Sequence, residues 1–140
     1  MSTQNKLILR RFFEELFNQG NLAAADEIVD ANYLNHNAAP GETPGRAGLT
    51  QFITYLHSAF RDLNFTIEDQ VAEGDKVVTR VTLRGTHQGE TEEFGPPTGR
   101  QVELKGITIS RIEGGKIVED WDAYDNLSAM QQLGLAPEQQ

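Results

Sequence analysis

Beyond Asp62 the spacing of apolar residues changes from the period of a helix to the period of a strand, and this switch limits the fold more than any other feature of the chain. Upstream, Leu9, Phe12, Phe13, Leu16 and Phe17 recur at helical spacing. So do Leu49, Phe52, Ile53, Leu56 and Phe60, at i, i+3, i+4, i+7 and i+11. Downstream, Phe65, Ile67, Asp69 and Val71 alternate with polar neighbours, and Val77, Thr79, Val81 and Leu83 alternate with Val78, Arg80, Thr82 and Arg84. Helices first and long strands after predict an α+β domain, with helices gathered on one face of a mostly antiparallel sheet.

Punctuation sets the boundaries. Ser2 and Thr3 open a first helix that Asn18-Gln19-Gly20-Asn21 stops. A short helix is predicted over 22–29, an extended bridge over 33–37, a loop around Pro40 and Pro44, and a third helix over 46–60. Glu73-Gly74-Asp75 turns a first hairpin, and a Gly- and Pro-rich excursion spans 85–99. A second hairpin pairs 100–112 with 116–124 around Glu113-Gly114-Gly115. A last helix, 127–133, ends at Gly134, and Pro137 prevents its continuation.

Composition then excludes several function classes. The 140 residues suit one domain, 1–140. A net charge of -9 leaves nothing to neutralise phosphates, so neither nucleic acid nor an anionic membrane surface is an expected partner. The absence of cysteine removes disulfides, thiolate catalysis and thiolate metal ligation. Three scattered histidines give no metal-ligand spacing, and Glu90-Thr91-Glu92-Glu93 reads as a solvated loop. Gly95-Pro96-Pro97-Thr98-Gly99-Arg100 precedes a strand, and its prolines lack the amide donors a phosphate needs. No metal, nucleotide or redox cofactor is expected. The apolar run Leu7-Ile8-Leu9 meets Arg10-Arg11 too soon for a signal peptide, and no stretch approaches the roughly 20 apolar residues of a membrane span, so the expected compartment is the cytoplasm.

The residues most suited to chemistry are Asp120 and Asp122. Two apart on a strand, they share one face with Val118 and Tyr124, about 6.6 Å from each other by strand rise. In an enclosed cavity, desolvation and mutual repulsion would raise at least one carboxyl pKa towards the range of a general base. Parity alone also permits a solvated acidic face. Ile117, Trp121 and Ala123 fall on the opposite face, an apolar stripe that predicts a homodimer. His36 and His87 are further titratable candidates, and His57, inside the third helix, is expected to be structural or surface-lying.

The segments Tyr33-Leu34-Asn35-His36-Asn37, Gly85-Thr86-His87-Gln88-Gly89, Gly95-Pro96-Pro97-Thr98-Gly99-Arg100 and Gly115-Lys116-Ile117-Val118-Glu119-Asp120-Trp121-Asp122, with the ending Gln132-Leu133-Gly134, occur in an order that resembles the SnoaL-like polyketide cyclases (ester cyclases) of the nuclear-transport-factor-2-like superfamily. The resemblance implies a cone-shaped curved sheet wrapped around three N-terminal helices, an apolar pocket inside, and dimerisation through the outer sheet face. It implies a cofactor-independent intramolecular aldol condensation, with the last-strand aspartate, here Asp122, as acid/base. The cyclases carry histidines where this chain has Thr108 and Asp120.

From residues and resemblance together, the expected site has Asp122, Asp120 and His87 as catalytic groups. Tyr33, Asn35, His36, Phe52, Leu56 and Tyr124 are expected to bind the substrate, a small hydrophobic carbonyl compound. Two other readings fit the same sequence: a module that only sequesters a hydrophobic ligand, and a hydrolase or hydroxylase on the same scaffold.

Overall fold

A computed structural model describes residues 2–38, 41–91 and 95–135. Pro40, Glu92, Glu93 and Pro137, named above, lie outside them. The elements are α1 (Ser2–Arg11), continued by a π-helical segment (Phe12–Asn18), then a 3-10 turn (Leu22–Ala24) leading into α2 (Ala25–Ile28). β1 (Val29–Asn35), α3 (Gly45–Ala59), β2 (Asn64–Glu73), β3 (Lys76–Thr86), β4 (Gln101–Glu113), β5 (Lys116–Tyr124) and α4 (Asn126–Gln132) follow. The curved five-stranded sheet has the order β1-β5-β4-β3-β2 and is α+β in class, as the change of period requires. Among the described residues no helix is long and apolar enough to cross a membrane.

The sheet is mixed, because the segment expected as a bridge is a strand. β1 pairs in parallel with β5, placing Asn35 beside Asp120. Only Val29 and Tyr33 of this strand are buried, too sparse an alternation to register as a strand signal. The remaining pairs are antiparallel. Gly114 and Gly115, at φ of 60° and 79°, supply the two left-handed positions of the tight β4–β5 turn.

Two bulges re-aim side chains that simple alternation would misplace. On β2, Ile67 opposes Val81 and Asp69 opposes Arg80, so Glu68 is the extra residue. Beyond it Asp69 and Val71 turn outward, Val71 being 66% exposed. On β5, Ile117 opposes Ile112 and Glu119 opposes Arg111, so Val118 is the extra residue. Ile117 is therefore fully buried in the core, not on the outer stripe.

The core lies between the helices and the inner sheet face. The aromatic residues of the first helical segment pack into it. Phe12, Phe13 and Phe17 pack on one another and on Phe65, with centroids 5.0 to 5.9 Å apart. Asn18 ties the segment to β2, its amide donating to the Phe65 carbonyl at 2.9 Å while its Oδ1 accepts from the Phe65 amide at 2.6 Å. His57 is structural, bonded to the Phe17 carbonyl at 2.5 Å. At the other end α4 begins on an Asp125 cap and docks through Gln132, which pairs with both backbone groups of Glu103.

A candidate acid/base site on the inner face of β5

The bulge at Val118 decides which β5 side chains point inward. Asp120 and Asp122 fall opposite Ser110 and Thr108 of β4, and those hydroxyls are 0% and 2% exposed. Trp121, between them, faces outward opposite Ile109. The shared face of the two carboxyls is thus the covered one, and Asp120 is 1% exposed.

β1 supplies the third wall. Its parallel register brings Tyr33 against Asp120, and the phenol donates to Asp120 Oδ2 at 2.5 Å. Past Asn35 the strand ends in an Asx turn, with the Asn35 side chain accepting from the Asn37 amide at 2.9 Å. Asn37 Oδ1 then accepts from the Asp122 amide at 2.7 Å, extending the pairing of β5 by a side chain. Asn37 was not among the expected site residues, although the Asn-x-Asn spacing beside Tyr33 is the signal of such a turn. Tyr124 completes the inward row, its ring lying against Gly106, where a Cβ would collide with it.

Burial sets the electrostatics. Asp120 is pushed up to about 7, chiefly by desolvation, with the Ser110 and Tyr33 hydroxyls opposing and the charges of Asp122 and Glu119 adding. Asp122 is raised for the same first reason, tempered by Thr108. Tyr33 and Tyr124 are both raised, by burial first and then by carboxylate charge. The Ser110 and Thr108 hydroxyls lie near enough to temper these shifts but not at hydrogen-bonding geometry. Asp120 Oδ1, Ser110 Oγ and Thr108 Oγ1 are all buried without such a partner among the described residues.

A cleft of about 380 Å³ lies between β1 and the first turns of α3, bordered by Tyr33, Asn35, Leu49 and Phe52 and by neither carboxyl. Tyr33 is the residue common to the cleft and the carboxyl pair. Phe52 is 42% exposed at the rim, whereas Leu56, one turn on, is core.

Besides Leu56, two further expected site residues are not part of this group. His36 follows Asn35 by one residue and so points to the outer face, where its ring stacks on Trp121 at 4.5 Å and its Nε2 meets Glu119 at 2.7 Å. Hydrogen bonds from His36 and then Arg111 hold the Glu119 carboxyl below its usual range. His87 is buried at the far end of α3, bridged to Phe60 and accepting from the Thr98 amide at 3.2 Å. That end lies eight residues, about 12 Å along the helix axis, beyond Phe52 at the cleft rim. Among the described residues, no three His, Asp or Glu side chains are grouped to hold a metal ion.

A family model for SnoaL-like polyketide cyclases matches residues 7–133. The chain is 28% identical over 120 residues to nogalonic acid methyl ester cyclase of Streptomyces nogalater, covering 84% of this chain and 89% of that one. Among solved structures it is similar to TsrD of Streptomyces laurentii, at 29% identity and a TM-score of 0.89 over 97% of this chain and 98% of that one. It is also similar to IdmH of Streptomyces antibioticus, a candidate polyketide cyclase, at 32% identity and a TM-score of 0.81 over 94% and 99%.

Proposed function

Because the chain belongs to the SnoaL-like polyketide cyclase family, we propose that it closes a ring in a small hydrophobic carbonyl compound by intramolecular aldol condensation, without a cofactor and with Asp122 as the base. The observation that carries this reading is the pair of covered carboxyls on β5, both shifted upward, beside a tyrosine that borders a cleft. Asp122 is the better base of the two. It is only half-buried and so can meet a ligand, whereas Asp120 is enclosed and bonded to Tyr33. A carboxylate with a raised pKa is a stronger acceptor for the proton of an activated C–H. The curated relative's name points to a methyl ester of a polyketide acid as the substrate class, with Phe52, Asn35 and Tyr33 lining its approach.

The test is deuterium wash-in at the α-carbon of an aromatic β-keto ester, methyl benzoylacetate, followed by mass spectrometry. Exchange well above the buffer rate is the expected result. Saturable binding of the ester with exchange at the buffer rate would favour the ligand-sequestering reading instead.

The outer sheet face supports a homodimer on residues partly different from those expected. Register aligns Val71, Val78, Ile109 and Trp121 across four strands, with Ile107 and Ala123 alongside. Val71, Ile107 and Ile109 are exposed at 66%, 45% and 37%, a continuous apolar row of the kind that marks an interface. Analytical ultracentrifugation at micromolar concentration should give a dimer, and Ile109→Glu a folded monomer. A monomeric parent chain would end this assignment.

A further inference from the structure

We propose that the Tyr33 hydroxyl binds the substrate oxygen on which negative charge develops, with Asp120 behind it as the proton store. This rests on the acid/base reading above and adds its second half, the fate of the oxygen. The geometry is that of a relay. Asp120 is enclosed, its Oδ2 is 2.5 Å from the Tyr33 oxygen, and of the two residues it is Tyr33, itself buried, that borders the cleft. When Asp120 is ionised, the phenol must donate inward to the carboxylate. When Asp120 carries a proton, the same contact reverses, the acid donates to the phenol oxygen, and the phenol O–H is released towards the cleft. Burial that keeps a carboxylic acid neutral near pH 7 lets it serve as a hydrogen-bond donor.

The proton balance closes. Asp122 takes the α-hydrogen, the C–H pair becomes the enolate, and the enolate carbon bonds to the acceptor carbonyl carbon. The C=O π pair moves to oxygen, Tyr33 gives that oxygen its proton, and Asp120 reprotonates Tyr33. Asp122 is left protonated and Asp120 ionised, and transfer between these neighbours restores the start. Nothing is oxidised or reduced. The charged and titratable groups around Asp120 are Tyr33 on β1 and Glu119, Asp122 and Tyr124 on β5. β4 presents only the hydroxyls of Ser110 and Thr108.

The test needs no substrate. Pentafluorophenolate mimics the developing oxyanion, and hexafluorobenzene has nearly the same shape without the oxygen. Calorimetry should show the phenolate binding about tenfold or more tightly below pH 7, as one charge-assisted hydrogen bond implies. That preference should fall about tenfold per pH unit above the Asp120 transition. Tyr33→Phe should abolish the preference while leaving hexafluorobenzene binding unchanged. Asp120→Asn, whose amide can donate to the phenol at any pH, should keep the preference and lose its pH dependence. The pH dependence should persist in Asp122→Asn, which separates it from titration of the base. Equal binding of the two ligands, no binding of the phenolate at millimolar concentration, or a Tyr33→Phe variant that weakens both alike would each overturn the proposal. The wash-in experiment does not use this preference, so the two readings can fail separately.

Discussion

Asp120→Asn should stabilise the protein at pH 8, with an advantage over the parent chain that shrinks as the pH falls and vanishes below about pH 4. The folded carboxyl titrates at about 7 because burial penalises its charge. In the unfolded chain it titrates at about 3.9. Between these values the folded state holds a proton that the unfolded state has lost, so stability declines as pH rises through the window. Above the folded pKa both states are ionised, and the full cost of burying the charge, about 4 kcal/mol, opposes folding. Below the unfolded pKa both are neutral and the cost is absent. Asparagine keeps the shape and can still hydrogen-bond the Tyr33 hydroxyl, but cannot ionise. At pH 8 its melting temperature should rise on the order of 10 °C for a chain of this size. Calorimetric melting of both proteins from pH 3 to pH 9 measures this directly. A variant that is less stable at pH 8 would mean that the buried carboxylate is a net stabilising partner of Tyr33, and the sign of the shift assigned to it would be wrong.

How much of this could be read from residues alone depended on whether alternation held along a strand. The helix over 46–60 was legible because five apolar residues share one face, and the structure has it as Gly45–Ala59. The last strand appeared at its full extent, Lys116–Tyr124, since a two-glycine turn and a polar cap bracket it. The shared face of Asp120 and Asp122 was also legible, because no bulge lies between them. What alternation could not give was any position beyond a bulge. Glu68 and Val118 carry no mark of being extra residues, yet they put Val71 outside and Ile117 inside. The partnership of Tyr33 with Asp120 was equally hidden. It joins residues 87 apart through a parallel edge pairing that leaves only a weak local pattern. His87 was drawn into the expected site by its motif, but β3 carries it eight residues past Thr79, the residue aligned through Thr108 with Asp122.

Asp122→Asn should lower catalysed α-deuterium exchange by about 10²–10⁴-fold, the range over which a positioned general base contributes. Its backbone amide would still donate to Asn37 and its shape would still fill the place opposite Thr108, so the loss would report the missing proton acceptor rather than a collapsed site. Stability separates the two explanations further. Burial raises the Asp122 pKa, so its ionised form opposes folding above that value and is neutral in effect below the unfolded one. The variant should therefore melt at the same temperature as the parent chain or higher near neutral pH. The parent's exchange rate should rise with pH as Asp122 deprotonates, and that rising limb should be missing from whatever rate the variant retains. If Asp122→Asn exchanges at the full rate while Asp120→Asn is inactive, the base is Asp120 and the two carboxyls trade roles. If both variants keep the full rate, neither carboxyl is the base, and the covered pair would have to be explained by ligand binding alone.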